Sequence, residues 1–472
     1  MGVGVSGWEL ARAVSVLGQL GVVSGTSLDV VLVRRLQDGD TGGHMRRAMA
    51  RFPFPEVAAR VLKEYFLPNG RAEGVPYRAL PMYRQVVVRA RAQLTVLAAF
   101  VEVDLAREGH DGQVGMNLLT KIQMPNLHTL YGALLAGVDY ILMGAGIPRD
   151  IPGALDRLAL HEPTSIRLEV EGAPRGGEYQ LEFDPSSLWP ATTPPALRRP
   201  WFLPIVASHS LAAMLARKAN GRVDGFVVEA PTAGGHNAPP RERGVTNHRG
   251  EPVYGDRDQV DLEAMRALGL PFWLAGGRCS PAGLEDALAA GAAGIQVGTF
   301  FAYCQEAGLD EAVRTQVLRA LRSGEAEVVT DPVASPTGFP FKVVQLPGSV
   351  AQESVYRERR RVCDLGYLRT PFVSTDGRVG YRCPAEPVKS WVGKGGTPEA
   401  AEGRRCLCNG LMADIGLGQL REDGSTEPPL VTSGDDLAAL RLFLGERERY
   451  RAEDVVGYLL SGRSGRRSIA AS

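Results

Sequence analysis

Net charge is what this sequence most plainly lacks. Fifty-three basic residues meet fifty-three acidic ones in a chain of 472, for a formal charge of zero. A balanced chain builds no long-range positive field, which excludes the nucleic-acid and anionic-membrane binders that depend on one. Long apolar runs are missing too. The most hydrophobic stretch, Val86 to Val103, is broken by Arg89, Arg91 and Glu102, far short of the ~18 clean residues of a membrane span. The N-terminus has no basic leader region, and Glu9 sits where a signal-peptide core would run, so a cytoplasmic location is expected. Cysteine is scarce, at six residues, and in that compartment all six are expected as reduced thiols.

Glycine is plentiful, with 56 residues, many bounding short apolar runs. Those runs are Gly2–Val5, Leu20–Ser24, Val114–Leu118, Tyr140–Met143, Phe202–Ala207, Gly225–Glu229, Phe272–Ala275 and Gly294–Val297. Continuous rather than alternating hydrophobicity fits strands buried on both faces, as parallel strands are. Amphipathic stretches lie between them, including Trp8–Leu17, Leu127–Ala136, Leu211–Ala219, Asp261–Leu268 and Pro281–Ala290. Eight strands alternating with helices point to an α/β chain of the (β/α)8 TIM-barrel type, although an open doubly wound sheet shares the pattern. The first run is shorter than a usual strand of about five residues, so this strand is either unusually short or begun upstream of Met1.

Two insertions interrupt the alternation: residues 27–112, which read as helical, and 161–200, where SIRLEVEG and GEYQLEF make a hairpin pattern. The barrel is expected over 1–305, a C-terminal region packed on it over 306–460, and a short basic tail over 461–472 that reads as disordered.

The strongest chemical signal is FWLAGGRCSPAGLEDALAAGAAGIQVGTFF, Phe272 to Phe301. One strand ends in Gly276-Gly277, and the next runs through Gln296 to Gly298-Thr299. Glycines let backbone N–H groups approach a phosphate, and a helix starting after Gly298 would add the positive end of its dipole. Two such loops on the last two strands match the phosphate grip of this barrel class. A second signal, EAPTAGGHNAPP from Glu229 to Pro240, follows a buried strand and sets His236 after a glycine pair on the same rim. A neutral imidazole there can take a proton from an acidic C–H or stabilise developing negative charge. His209, after Ser208, is a lesser candidate. In GMNLLTKIQ, Asn117 ends a buried strand, where an amide needs a partner, and Lys121 is a candidate for a flavin ring edge or a phosphate.

These motifs carry a resemblance. The opening MGVGVSGWELARAVSVLGQLGVVSG, the AGGH of Ala233 to His236, and the AGG and QVGT at 275–277 and 296–299 resemble nitronate monooxygenases (2-nitropropane dioxygenase-like enzymes) and the related FMN-dependent enoyl-ACP reductases. RCLCNGLMADIGL at 405–417 looks like a stretch of the longer members. The resemblance implies FMN at the C-terminal mouth of a barrel, with His236 as base or as partner of the flavin anion. The candidate cofactor contacts are Gly2, Asn117, Lys121, Ser208, Glu229, Gly235, Gly276, Gly277, Gln296, Gly298 and Thr299. One departure is NAPP after AGGH, where many members continue with glycine and an acidic or polar residue. It leaves substrate choice open.

Cys363, Cys383, Cys406 and Cys408 all fall in the C-terminal region. Four sulfurs would suit a structural zinc, but there is no CxxC pair, so they read as partly buried thiols and no metal site is assigned. The leading expectation is an FMN-dependent monooxygenase passing electrons from a nitronate-like small molecule to dioxygen. An NAD(P)H-dependent enoyl-thioester reductase shares the same parts. An IMP-dehydrogenase-like enzyme shares the paired phosphate loops, but the chain has no cysteine in the loop after the sixth strand, where such an enzyme needs its nucleophile, which argues against it. A flavin-binding partner subunit without turnover stays open. The insertion at 27–112 is a candidate lid or homodimer contact.

Overall fold

A computed structural model describes residues 2–174, 178–189, 194–242 and 244–463. The strands in chain order are β1 Gly21–Ser24, β2 Val114–Leu119, β3 Tyr140–Gly144, β4 Thr164–Leu168, β5 Tyr179–Phe183, β6 Trp201–Val206, β7 Phe226–Glu229, β8 Phe272–Ala275, β9 Gly294–Gln296, β10 Val328–Asp331, β11 Phe341–Val344, β12 Thr370–Val373 and β13 Val379–Arg382. Seven of them form one curled sheet in the order β1-β2-β3-β6-β7-β8-β9, every adjacent pair parallel. An order that follows the chain without reversal is that of a barrel, not of a doubly wound sheet. Helices Asn126–Leu135, His209–Lys218 and Pro281–Ala289 make crossovers on its outside.

The expected eighth strand is a correction. Gly2–Ser6 forms turns rather than a strand, because Gly4 takes φ +60° and bends the chain. The segment still lies beside β1: Ser24 N–H donates to the Ser6 carbonyl at 2.8 Å, and Gly308 N–H to that of Val5 at 2.9 Å. Among the described residues no ladder joins β9 to β1. Helix Trp8–Val16 packs hard against β1 there, and a Cβ on Gly21 would lie 1.9 Å from the Ala11 carbonyl oxygen.

Residues 27–112 hold helices Leu28–Gln37, His44–Met49, Pro55–Tyr65 and Arg89–Arg107, with an irregular stretch over 66–88. Buried polar groups pin them together. Arg91 pairs with Asp29 at 3.0 Å, both nearly inaccessible, while Thr95, Tyr83 and the distant Tyr367 all donate to the Asp29 carboxylate. β4 and β5 form the expected antiparallel hairpin; part of its turn and residues 190–193 lie outside the described residues. Beyond residue 306 come helix Glu311–Ser323, the hairpins β10–β11 and β12–β13, and helices Leu407–Ala413, Leu437–Leu444 and Ala452–Leu460. Within the expected tail, Ser461–Arg463 forms a 3-10 turn, and the remainder lies outside the described residues. No described helix is long and apolar enough to cross a membrane.

Candidate active site

Strand register sets the cavity. Glu229 pairs with Ala275, and Ala275 with Gln296, so three strand ends share one rung at the C-terminal mouth. One rung deeper, Val227 pairs with Trp273, and across the sheet Asn117 pairs with Leu142 and Leu142 with Leu203. These side chains face a cavity of about 450 Å³, within the usual range for small-molecule and cofactor sites. Its floor is apolar, and its rim carries Asn117, Glu229, His236 and Gln296. Among the described residues the Asn117 amide makes no side-chain hydrogen bond, so it is available to a ligand.

His236 is held by residues far along the chain. Gly235 takes φ +82°, which turns the backbone so that His236 bridges antiparallel to Phe341 of β11. Lys342 N–H donates to the Gly235 carbonyl at 3.0 Å, and Asn237 N–H to that of Pro340 at 2.9 Å. The loop after β7 is thus tied to β11 by a single antiparallel bridge. The imidazole Nε2 lies 2.7 Å from Ser335 Oγ, which is itself 2.8 Å from Thr337 Oγ1. Phe341 meets the ring edge-on, with centroids 4.8 Å apart. Burial pushes the imidazole pKa down to about 3, so the ring is neutral at physiological pH. Burial acts oppositely on Glu229, raising its carboxyl to about 7. An acid and a base on one rim are therefore tuned in opposite directions, a feature of catalytic sites.

The glycine loops meet backbone to backbone. Gly276 takes φ +87°, and a Cβ there would lie 2.8 Å from Ala233 N. A Cβ on Gly234 would lie 2.8 Å from Gly434 N. At Gly298, by contrast, a Cβ would meet nothing within 4 Å, so that backbone faces open cavity and forms a cradle. The helix after it, Thr299–Ala302, is a single turn, so the expected dipole contribution is slight and the cradle depends on individual N–H and O–H groups. A segment unforeseen from the sequence completes it. Gly434 N–H donates to Thr299 Oγ1 at 3.1 Å, and Gly235 N–H to Thr432 Oγ1 at 3.0 Å. Thr432, Ser433 and Gly434 line the cavity beside Gly276, Gly298 and Thr299. Asp414 lines it as well; burial holds its carboxyl well above the usual range, and its Oδ1 has no partner. An acid inside the apolar run LMADIGL was the only signal for that residue.

The cavity thus gathers Gly2, Asn117, Glu229, Gly235, His236, Gly276, Gln296, Gly298 and Thr299. Lys121, Ser208 and Gly277 do not line it. Lys121 sits past the end of β2 and pairs with Glu169 at 3.3 Å. Ser208 spends its hydroxyl as N-cap of helix His209–Lys218, accepting from Leu211 N–H. Gly277 supplies the left-handed turn, φ +67°, rather than a wall. His209 also lies outside the lining.

Fold and rim define a barrel-type α/β protein with a ligand cavity at its C-terminal mouth. Residues 200–334, which carry β6 to β9, the His236 loop and both glycine loops, match the model of the nitronate monooxygenase family. That match covers less than half of the chain. No curated protein matches the chain. Solved structures similar to it include FabK from Thermotoga maritima, at 15% identity over 97% of this chain and 88% of that one, TM-score 0.47. Nitroalkane oxidase from Streptomyces ansochromogenes is similar at 14% identity, over 98% and 95%, TM-score 0.45. The enoyl reductase domain of MlnA from the macrolactin biosynthesis cluster of Bacillus amyloliquefaciens is similar at 12%, over 98% and 92%, TM-score 0.46. Likeness this loose carries no functional weight.

Proposed function

We propose that this chain is an FMN-dependent oxidoreductase that oxidises a nitronate or a similar activated-carbon small molecule with dioxygen. The observation that carries the reading is the meeting of His236, Glu229 and the loops at Gly276, Gly298 and Thr432–Gly434 on one cavity, all but the last within the segment matching the nitronate monooxygenase family. The residues fit the cofactor. Gly298, Thr299, Thr432 and Ser433 would hold its phosphate, and Asn117, Gln296 and Gly2 would meet the rest of it at the mouth. When bound, FMN supplies the electron chemistry, and the protein supplies binding, orientation and electrostatics.

His236 acts as the proton acceptor. Its neutral ring keeps a lone pair free, with Nε2 fixed by Ser335 and no protein partner for Nδ1 among the described residues. The imidazolium that forms is disfavoured by burial. The aromatic edges of Phe339 and Phe341 keep bulk water from the ring.

The test is an absorption spectrum of the purified protein followed by anaerobic titration. Flavin bands bleached by a nitronate support the reading. Bleaching only by NAD(P)H moves it to an enoyl-thioester reductase, and no flavin after addition of FMN removes it. His236→Ala is expected to keep the flavin and lose at least about 10²-fold in turnover; near-normal turnover would deny the histidine its role.

A further inference from the structure

Lysine is almost never fully buried unless it is paired, yet Lys342 of β11 is 2% exposed and does not line the cavity. Its ammonium carries three donors, and all three are used. Nζ lies 2.8 and 2.9 Å from the two carboxylate oxygens of Asp435 and 2.8 Å from Oγ1 of Thr330, its cross-strand partner on β10. Asp435 follows directly on the cradle segment Thr432–Gly434, and its own N–H donates to the Thr232 carbonyl at 3.0 Å. The main chain of Lys342 grips the histidine loop. Its N–H donates to the Gly235 carbonyl at 3.0 Å, one residue before His236, and the neighbouring Phe341 supplies the ring that meets the imidazole. Gly235 N–H in turn donates to Thr432 Oγ1 at 3.0 Å. β11, the loop at 232–236 and the segment at 432–435 are thereby tied in a closed ring of contacts, and Lys342 holds both of the others, one by its backbone and one by its side chain.

An apolar side chain would fill the same space without the cost of burying an amine. It would not supply direction. Three hydrogen bonds from one nitrogen fix the Asp435 carboxylate relative to β11, and a displaced Asp435 would carry Thr432 and Gly434 with it. Through Gly235 the same displacement would reach the turn that aims His236. We propose that Lys342 is a positioning residue that sets the phosphate cradle and His236 as one unit. The cradle half of this statement rests on the flavin reading of the cavity, and the histidine half does not.

The test compares Lys342→Met with wild type in the full chain by two measurements. Quenching of flavin fluorescence gives the dissociation constants of FMN and of riboflavin, which has no phosphate. FMN should bind about tenfold more weakly to the variant, the scale of one hydrogen bond, and riboflavin nearly as it binds wild type, because only FMN reaches the cradle. Modification of the unloaded proteins by diethyl pyrocarbonate, read from the mass of the peptide bearing His236, should run several-fold faster in the variant, as the loosened loop admits reagent to the neutral ring. Asp435 is 44% exposed, so its carboxylate stays hydrated when Lys342 is replaced and the variant should fold. Lys342→Met/Asp435→Asn, which removes both charges, should show the same losses and stands in for the single variant if that one does not fold. Equal weakening of FMN and riboflavin overturns the proposal, and so does an unchanged reactivity of His236. Wild-type protein that takes no flavin overturns the flavin reading instead, and the rate of His236 modification then decides on Lys342 alone.

Discussion

Replacing Glu229 with glutamine keeps the shape of the side chain and removes its charge, which isolates the effect of burial. The carboxyl rises from an ordinary 4.5 to about 7, a penalty on the ionised form of at most about 3.5 kcal/mol at roughly 1.4 per unit. One side of the group faces the cavity, where water relieves part of the cost, so about 1–3 kcal/mol is the working range. The sign follows from linkage. A folded-state pKa above the unfolded value means that the stability tied to the protonated carboxyl is fully present below about 4.5 and is lost as pH rises through about 7. Glutamine escapes this loss. For 472 residues the unfolding entropy is roughly 1 kcal/mol per kelvin. Glu229→Gln should therefore melt close to wild type near pH 4.5 and about 1–3 °C above it at pH 8. Thermal melts of both proteins at matched cofactor load, followed by tryptophan fluorescence at each pH, make the comparison, because the other titrating groups cancel. A melting difference that does not change between pH 4.5 and pH 8 would refute the buried carboxyl.

Three further perturbations test other parts of the molecule. Gly276→Ala places a side chain at φ +87° and within 2.8 Å of the Ala233 amide nitrogen, so a loss of about 1–3 kcal/mol and weaker retention of FMN are expected in a melt and an equilibrium dialysis; unchanged retention would separate this loop from the cofactor. Arg91→Met leaves Asp29 buried and unpaired and should cost about 3–5 kcal/mol, read as an early melting transition, whereas a stability equal to wild type would show that the hydroxyls around Asp29 suffice. Ser335→Ala removes the hydrogen bond to His236 Nε2 and should lower turnover about tenfold, the scale of one hydrogen bond, with KM little changed; a shift confined to KM would place Ser335 in substrate binding instead.

The parts legible in the sequence were those encoded locally. Buried parallel strands announce themselves as apolar runs, and seven of the eight read this way pair in one sheet. Gly276, Gly298, Gln296 and His236 were marked by glycine at strand ends, and each lines the cavity. Gly2–Val5 misled because an apolar run does not reveal the bend at Gly4. Lys121 and Ser208 misled because a side chain close in sequence to a strand end can be spent on Glu169 or on a helix cap. Thr432, Ser433, Gly434 and Asp414 were illegible for a different reason. Their role comes from contacts as distant as the 197 residues between Gly235 and Thr432, and no local pattern signals such a pairing. The four cysteines had the same difficulty, since their spacing matches no familiar knuckle and only the folded chain gathers them.

The pairing of the His236 loop with β11 also fixes when this rim can exist. A ribosome adds roughly 5–20 residues per second, so the glycine loop at 233–235 emerges many seconds before Ser335 and Phe341, and longer still before Thr432. Until those partners arrive, the Gly235 N–H and C=O lack the partners they have in the fold, and a cofactor of the proposed kind meeting the nascent chain finds half a cradle. Closing contacts of such long range is also slow. If the cavity takes a cofactor as proposed, its capture is a late event, and a chain cut short before residue 335 would carry its histidine without the neighbours that hold it.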